Sequence, residues 1–285
     1  MKLQKVMLDA GFSCPNRDGK KGYGGCTFCR TESYNPAYCR STASITQQLE
    51  AGKHFMAGKY PEMKYLAYFQ AFSNTYAPVE VLRQRYEEAL DVEDVVGLVI
   101  GTRPDCLSDE VLDLLDEIRE RHRCDITIEI GVESFYDKTL LRINRGHDAR
   151  CSVDAIIKCA NRGFPIGIHL ILGLPGESIN EILSETELIN TLPIHSIKLH
   201  QLQILQGTPM AKEYRDSPED FLQLSADAYV ELVVRFVRRL KQEIHVERYA
   251  SSAPADLLIA PHWGLKPAEI QRRVLACLSQ NTPSL

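Results

Sequence analysis

Residues 95–134 read VVGLVIGTRPDCLSDEVLDLLDEIRERHRCDITIEIGVES. An apolar, β-branched run opens the stretch, a segment with a helical pattern of Leu and Ile occupies 108–121, and a second apolar run begins at Ile126. A strand, a helix and a strand of these lengths are typical of a βα repeat, in which the two strands lie parallel. The stretch therefore predicts an α/β protein with a parallel sheet.

The same alternation extends in both directions along the chain. Apolar runs also begin at Lys64, Pro165 and Ser196, and the five runs start 31, 31, 39 and 31 residues apart, which is the length of one βα unit. Residues 6–9 form a plausible first strand, and helical patterns cover 45–56, 78–90, 108–121, 152–161 and 178–191. Six strands alternating with helices indicate a doubly wound sheet or a complete or partial barrel. We expect a partial (β/α)6 barrel of the TIM-like type.

Polar side chains collect at the carboxyl ends of the predicted strands. In parallel barrels the chemistry lies at that edge of the sheet. The polar residues there are Gln70, Ser73, Asn74, Thr102, Arg103, Asp105, Glu129, Glu133, Ser134, His169, His200 and Gln201.

The pattern changes after Gly207. A long helix is predicted over 221–242, a short strand over 245–248 and a final helix over 267–278, which begins with proline at its first turn. We therefore divide the chain into a barrel, residues 1–206, and a C-terminal extension, residues 207–285, that packs on the barrel.

The composition excludes several classes of protein. With 44% hydrophobic and 25% charged residues, the chain is neither disordered nor of low complexity. Its apolar runs are shorter than a membrane helix requires, and its first residues lack a secretory signal, so we expect a cytoplasmic protein without membrane contact. The net charge of −5 leaves nucleic-acid binding to a local patch. The stretch from Arg235 to Lys241 has helical spacing, which is most often that of a solvated face. The candidate basic residues are Arg235, Arg238, Arg239, Lys241, Arg272, Arg273, Lys20 and Lys21.

Three of the nine cysteines lie close together, in CPNRDGKKGYGGCTFC. The segment between Cys14 and Cys26 is rich in glycine and charge, which indicates an exposed loop suited to holding a metal, and Cys29 completes a C-x2-C pair. Three thiolates do not fill a four-ligand shell, so either one metal position stays open or a further ligand, such as Cys39, Asp18 or a distant His, completes a zinc site. No second CxxC follows, so we expect one centre only.

The cysteine loop after strand one resembles the cluster motif of radical S-adenosylmethionine (SAM) enzymes, in the form with eleven residues between the first two cysteines. Over nearly the whole chain the sequence is similar to the YtqA/YhcC-type radical SAM proteins. The segments that carry this similarity are DAGFSCPNRDG, GGCTFC, YFQAFSNTYAP, VVGLVIGTRPDC, GVES, INRGH, HLILGLPGE, KLHQLQILQGT and DLLIAPHWGLK. Members of this family usually carry further residues before the first strand, so we expect the chain to be shortened at its start.

The resemblance implies an enzyme with two cofactors. Cys14, Cys26 and Cys29 would bind one [4Fe-4S] cluster, whose fourth iron chelates SAM. Reduction of the cluster, by a donor such as flavodoxin or ferredoxin, would cleave SAM to methionine and a 5′-deoxyadenosyl radical that abstracts hydrogen from the substrate. Three protein ligands, rather than four, suit that chemistry.

The resemblance also implies residues that bind SAM. Phe28 would lie beside the adenine, although it could simply pack inward. Glu133 and Ser134 would hold the ribose, although Glu133 could instead be a buried ion-pair partner. Gly173 and Pro175 of GLPGE would lie against the adenine, although this motif alone is more typical of a strand-to-helix turn.

Other candidates are weaker in sequence terms. Gln70, Ser73 and Asn74 stand where other members keep a Gly-Gly-Glu motif for the SAM amino group, and that glycine pair is absent here. The candidate catalytic residues are Arg145, His147, His200 and Gln201. The arginine and histidine of INRGH would reach the SAM carboxylate or the substrate, or form a helix-end salt bridge, and the other two would face the cavity from strand six.

The family resemblance also suggests a substrate. Members of the YtqA-like branch are associated with tRNA wobble-uridine modification, in which carboxymethylaminomethyluridine becomes aminomethyluridine, so tRNA is an expected partner. The alternatives are a radical SAM lyase acting on a small metabolite such as a modified nucleobase, and a non-catalytic zinc-loop protein that binds a partner.

Overall fold

The structure, a computed structural model, describes residues 2–30, 35–57 and 63–280. Within these ranges strands and helices alternate as predicted. The strands are β1 (Lys2–Leu8), β2 (Met63–Phe69), β3 (Val95–Thr102), β4 (Asp125–Glu133), β5 (Ile166–Leu172), β6 (Ser196–Gln201), β7 (Ile204–Leu205), β8 (His245–Arg248) and β9 (Leu258–Ala260). The helices are α1 (Ile45–Ala57), α2 (Val79–Leu90), α3 (Asp109–His122), α4 (Asp137–Arg142), α5 (Ala149–Asn161), α6 (Ile179–Ile189), α7 (Pro209–Asp216), α8 (Ala226–Val237) and α9 (Pro267–Ser279).

Seven of these strands form the parallel sheet that the repeat predicts. Strands β1, β2, β3 and β4 pair in parallel and in chain order, and β6 pairs in parallel with both β5 and β8. The sequence placed the strand at 245–248 in the C-terminal extension, but it joins the main sheet beside β6. Strands β7 and β9 form a separate antiparallel pair.

The described residues divide into two compact units. The first contains residues 2–25, 35–57, 63–131 and 151–166, and the second contains 26–30, 132–150 and 167–280. The division does not follow the boundary expected at 206/207, which stays a prediction.

The βα unit at 95–134 shows why the helices begin and end where they do. The Ser108 hydroxyl accepts a hydrogen bond from Val111 N at 3.3 Å and caps the start of α3. Acidic residues occupy the first turn and basic residues the last, which suits the helix dipole. Arg123 ends the helix in the left-handed conformation, with φ of 49°. Strand β3 is apolar as far as its last residue, Thr102, and is almost wholly buried, as parallel strands usually are.

Two predicted elements differ from the observed ones. Strand β1 begins at Lys2 rather than at residue 6 and pairs with β2 along its full length. The first half of this strand was not predicted, because its residues are largely polar. A strand at the edge of a sheet, such as β1, tolerates charged residues. The helix predicted over 221–242 is the shorter α8, since the Ser225 hydroxyl caps its start by accepting from Ala228 N at 3.2 Å, and the helix ends at Val237. No helix of the described residues is long and apolar enough to cross a membrane.

Candidate functional site

The loop between the first two cysteines is ordered by its own backbone hydrogen bonds. It opens with a turn in which Arg17 N donates to Cys14 O at 2.8 Å, and Gly25 N later donates to Asn16 O at 2.8 Å. Gly19 has φ of 91°, a conformation that glycine adopts without strain. The glycine-rich segment is therefore a folded loop that fixes the backbone around the first cysteine.

The C-x2-C turn belongs to the second unit and is held at its middle. Cys29 N donates to Cys26 O at 3.0 Å, which closes the turn. Thr27 N donates to Ile143 O at 2.9 Å, and Thr27 O accepts from Met210 N at 3.0 Å. The two cysteines are thus attached to the end of α4 and the start of α7.

Phe28, the predicted neighbour of adenine, is half-buried against an apolar cluster. That cluster consists of Leu140, Ile143, Leu174, Ile204, Met210, Ala211 and Phe221. The inward packing that the sequence allowed is therefore present. The contact with adenine stays a prediction.

Arg145 lies between one cysteine and the end of β4. Its Nη1 donates to Cys26 Sγ at 3.4 Å, and its Nη2 lies 3.5 Å from Glu133 Oε1. The arginine is buried, with 6% of its surface exposed. His147, from the same INRGH segment, places Nδ1 3.0 Å from Asp148 O. The roles toward the SAM carboxylate or substrate stay predictions, whereas the contact of Arg145 with a cysteine was not expected.

Ser134 contacts two carboxyl groups, and its predicted role in binding ribose stays a prediction. Its Oγ lies 2.6 Å from Glu177 Oε1 and 3.1 Å from Glu185 Oε1, and it accepts from Tyr136 N at 3.1 Å. Phe135 N donates to the same Glu185 oxygen at 2.6 Å. A hydroxyl has one proton to donate, so it can satisfy one carboxylate only, and the other contact requires a proton on a carboxyl group. The cluster therefore retains a proton.

The surroundings of Glu177 and Glu185 also favour a proton on a carboxyl group. Burial raises the pKa of Glu177 to about 7, against the lowering effect of its hydrogen bond from Ser134. Burial and the nearby Glu177 charge raise the pKa of Glu185 to about 8. No role was predicted for Glu177 in GLPGE, and Glu185 was not among the predicted site residues. The helical spacing of Glu185 from Ile182 and Ile189 could have indicated it, because it places this carboxyl group on the buried face of α6.

The GLPGE turn requires its first glycine. Gly173 has φ of 92° and, like Pro175, is buried. This geometry agrees with the reading of a strand-to-helix turn. A contact between these residues and adenine stays a prediction.

The end of β2 is bound to the end of β3. Ser73 and Asn74 are wholly buried. Ser73 Oγ lies 3.1 Å from Thr102 Oγ1, and Asn74 Nδ2 donates to Gly101 O at 2.8 Å. Gln70 is only half-buried, and its Oε1 is a buried acceptor with no hydrogen-bond partner among the described residues. Asn74 Oδ1 is a second such acceptor, and Gln70 differs from it only in being the more exposed side chain.

The candidates at the end of β6 have separate surroundings. The His200 ring lies 5.4 Å from the ring of His169, measured between centroids. Gln201 makes two hydrogen bonds with the backbone of Ser251, one accepted from its N at 2.9 Å and one donated to its O at 2.8 Å. The amide of Gln201 thus connects β6 to the segment after β8. The catalytic roles of both residues stay predictions.

The donor set suits an iron–sulfur cluster. Cys14, Cys26 and Cys29 each carry a thiol, the usual ligand of such clusters, and Arg145 Nη1 donates to one of them, Cys26 Sγ, at 3.4 Å. By contrast, burial and the nearby Asp9 raise the pKa of Cys39 to about 12, so this thiol is a poor candidate for a further ligand. Cys14 belongs to the first unit and the other two to the second. Among the described residues, no group of three or more His, Cys, Asp or Glu is placed to hold a metal ion.

Family models match most of the chain. The model described as the radical SAM superfamily matches residues 14–189, and the model described as the radical SAM C-terminal domain matches residues 194–280. The chain belongs to the radical SAM superfamily. The prediction of a radical SAM enzyme is thereby confirmed, and membership implies SAM and a [4Fe-4S] cluster as cofactors.

The chain is also similar to individual members of the superfamily. It is 40% identical over 269 residues to the protein YtqA of Bacillus subtilis (strain 168), covering 94% of this chain and 82% of that protein. It is 39% identical over 262 residues to the protein YhcC of Escherichia coli (strain K12), covering 92% and 82%. The predicted resemblance to YtqA/YhcC-type radical SAM proteins is confirmed.

The chain is also similar to two more distant proteins. The solved structure of Elp3 from the archaeon Methanocaldococcus infernus, with an N-terminal deletion, matches with a TM-score of 0.73 at 15% identity, covering 97% of this chain and 62% of that chain. The match supports the predicted radical SAM, TIM-like fold. A tRNA uridine(34) acetyltransferase of the same organism is 23% identical over 172 residues, covering 58% of this chain and 30% of that protein.

Proposed function

We propose that this radical SAM enzyme removes the carboxymethyl unit from carboxymethylaminomethyluridine at the wobble position of tRNA and leaves aminomethyluridine. The observation that carries the substrate class is the sequence similarity to a protein named as acting on uridine 34 of tRNA. In this proposal Cys14, Cys26 and Cys29 hold one [4Fe-4S] cluster, and SAM binds beside it. When bound, the two cofactors supply a radical that removes a hydrogen atom from an unactivated carbon.

The proposed conversion balances as an oxidative cleavage. Water enters, the N–CH2 carbon is oxidised by two electrons, and the carboxymethyl unit leaves nitrogen as glyoxylate. Cleavage of SAM to methionine and 5′-deoxyadenosine would take up these two electrons. One glyoxylate should therefore form for each 5′-deoxyadenosine.

A basic and aromatic surface on the cysteine loop is a candidate contact for RNA. Lys20 and Lys21 are exposed, and Tyr23 has 79% of its surface exposed. A Cβ on Gly19 would lie 2.6 Å from the Tyr23 ring, so the ring packs closely on the glycine backbone and is held in place. Proteins read single-stranded RNA by stacking bases on aromatic rings next to positive charge. An unstacked anticodon base suits this surface.

The basic residues after α8 are less suitable for RNA, because they serve the fold. Arg238 Nη2 donates to Cys277 O at 3.0 Å and to Gln280 O at 3.2 Å, at the end of α9. Arg273, on α9, donates to Asp227 Oδ1 at 3.0 Å. These bonds attach α8 and α9 to each other. In the proposal the RNA contact therefore lies at the cysteine loop.

The proposal includes two further features. A reductant is required to start the reaction, and flavodoxin or ferredoxin would supply one electron that the balanced conversion does not consume. A cytoplasmic location would give access to both tRNA and these donors.

Mass spectrometry of tRNA nucleosides from a strain lacking the gene tests the proposal. Carboxymethylaminomethyluridine should accumulate, and the wild-type gene should restore aminomethyluridine, whereas a Cys26→Ala copy should not. An unchanged profile of modified nucleosides would contradict the tRNA assignment and favour the small-metabolite lyase. Recovery of stoichiometric zinc and no iron after anaerobic reconstitution would instead favour the zinc-loop protein.

A further inference from the structure

A buried guanidinium contacts both a cluster cysteine and a predicted SAM-binding carboxylate. Arg145 donates from Nη1 to Cys26 Sγ at 3.4 Å, and its Nη2 lies 3.5 Å from Glu133 Oε1. Its backbone N donates to Leu140 O at 2.8 Å, which fixes the point from which the side chain extends. All four residues belong to the second unit.

The carboxylate partner is held in an unusual backbone conformation. Glu133 has φ of 69°, which costs a residue with a Cβ of order 1–3 kcal/mol. Such a conformation persists where the surrounding structure fixes it and is common at functional sites. Here the ion pair with Arg145 holds the carboxylate at the end of β4.

The charge of Arg145 is permanent, and its setting makes that charge effective. Arginine stays protonated in proteins, and burial weakens the screening of its field by water. Hydrogen bonds to cluster sulfurs and the charge near the cluster set the reduction potential of an iron–sulfur centre. A positive donor on a cysteine sulfur stabilises the reduced, more negative state.

We propose that Arg145 is a positioning residue that raises the reduction potential of the cluster through the Cys26 sulfur, and that Glu133 moderates this effect by sharing the guanidinium. The inference rests on the cluster that the superfamily implies and not on the tRNA substrate. In this proposal Arg145 raises the reduction potential of the cluster, and Glu133 lowers it.

Shifts of opposite sign in two variants distinguish an effect on the reduction potential from a purely structural role. Arg145→Gln removes the positive charge and should lower the potential. Glu133→Gln removes the opposing negative charge and should raise it. A purely structural contact has no reason to shift the potential in opposite directions when either partner is replaced by a neutral residue.

The experiment is a potentiometric titration of the anaerobically reconstituted full chain, without SAM or RNA, followed by electron paramagnetic resonance. At a fixed solution potential, Arg145→Gln should lower the ratio of reduced to oxidised cluster about tenfold, which is 59 mV for a one-electron couple. Arg145→Lys keeps the charge, so its reduction potential should lie between those of Arg145→Gln and wild type.

Arg142→Gln is the matched control, because this neighbouring arginine forms ion pairs with Glu213 and Asp220. Its potential should equal that of wild type. Shifts of the same sign for Arg145→Gln and Glu133→Gln, or shifts no larger than in the control, would overturn the proposal. If Arg145→Gln fails to hold iron, the lysine variant and Glu133→Gln decide the outcome. Loss of the tRNA assignment would leave these results unaffected.

Discussion

Ser134 Oγ lies 2.6 Å from Glu177 Oε1. Either the hydroxyl donates its single proton to Glu177, or a protonated carboxyl group donates to the hydroxyl oxygen. Glu185 contacts the same oxygen at 3.1 Å, so the folded chain keeps a proton among three buried side chains. The three residues connect the end of β4, the GLPGE turn and helix α6.

The first prediction concerns the pH dependence of stability. Both folded pKa values, about 7 and about 8, lie above the value of about 4.3 for an unfolded glutamate. Between these limits the folded chain binds more protons than the unfolded chain, so stability should fall as pH rises, by about 1.4 kcal/mol per pH unit for each proton retained. Glu185→Gln should flatten this slope in urea unfolding followed by circular dichroism.

Glu181→Gln is the matched control for that experiment. Hydrogen bonds from Lys138 and Ser178 lower the pKa of Glu181 to about 2, so it titrates below the window in question. Its replacement should lower stability through loss of the capping box and leave the slope between about pH 5 and 8 unchanged. A slope in Glu185→Gln as steep as that of wild type would show that the buried pair is not its source.

The second prediction concerns the cluster ligands. Cys14→Ala, Cys26→Ala and Cys29→Ala should each abolish the cluster, whereas wild type should hold about four irons per chain. Cys39→Ala and the equally buried Cys106→Ala should keep the cluster, because burial holds both thiols protonated. Iron analysis and the visible absorption spectrum measure this. Iron loss in the Cys39 variant would add a ligand to the set, and about eight irons in wild type would indicate a second cluster.

The third prediction concerns SAM binding. Glu133→Ala should weaken binding by about 1.5–3 kcal/mol, the range for a hydrogen bond with a charged group. Calorimetry on the reconstituted enzyme measures this. Thr75→Ala is the comparison, because that buried hydroxyl lies 2.6 Å from Thr102 Oγ1 and donates to Cys106 O at 2.7 Å, and its loss should lower thermal stability and leave SAM affinity unchanged. Equal SAM affinity in Glu133→Ala and wild type would limit the carboxylate to its contact with Arg145.

The fourth prediction concerns RNA. Lys20→Glu with Lys21→Glu should weaken tRNA binding in filter-binding assays. The slope of the logarithm of the binding constant against the logarithm of the salt concentration should become shallower by about one for each lysine that contacts phosphate. Uncoupled cleavage of SAM should not change. Arg235→Glu with Arg272→Glu alters two exposed charges on α8 and α9 and should leave binding near the wild-type value. The reverse ranking of the two double variants would place the RNA on the helices.

The sequence predicted those features that depend on local pattern. The βα repeat and the helix α3 follow from apolar spacing and from a serine cap at Ser108, both of which are legible in one stretch of chain. Strand β1 and helix α8 were misjudged at their ends, because an edge position and a cap at Ser225 outweigh hydropathy. Elements recognised by periodicity were therefore correct in type and less accurate in extent.

The arrangement of the site was harder to predict, because it depends on contacts between distant residues. Nothing local to Ser134 indicates that Glu177 and Glu185 converge on its hydroxyl. Likewise, the spacing of the cysteines does not show that Arg145 reaches Cys26, which lies 119 positions away in the sequence. Residue types and motifs identified the family, whereas partners of individual side chains required the fold.

The two backbone hydrogen bonds of Thr27 have a consequence for synthesis of the protein. They bind the C-x2-C turn to Ile143 and Met210, residues that leave the ribosome long after the cysteines do. At about 5–20 residues per second, translation needs on the order of ten seconds or more to reach them. Until then the nascent thiols lack the backbone anchors that hold them in the folded chain, and they are open to oxidation. Delivery of iron and sulfide should therefore follow translation rather than accompany it.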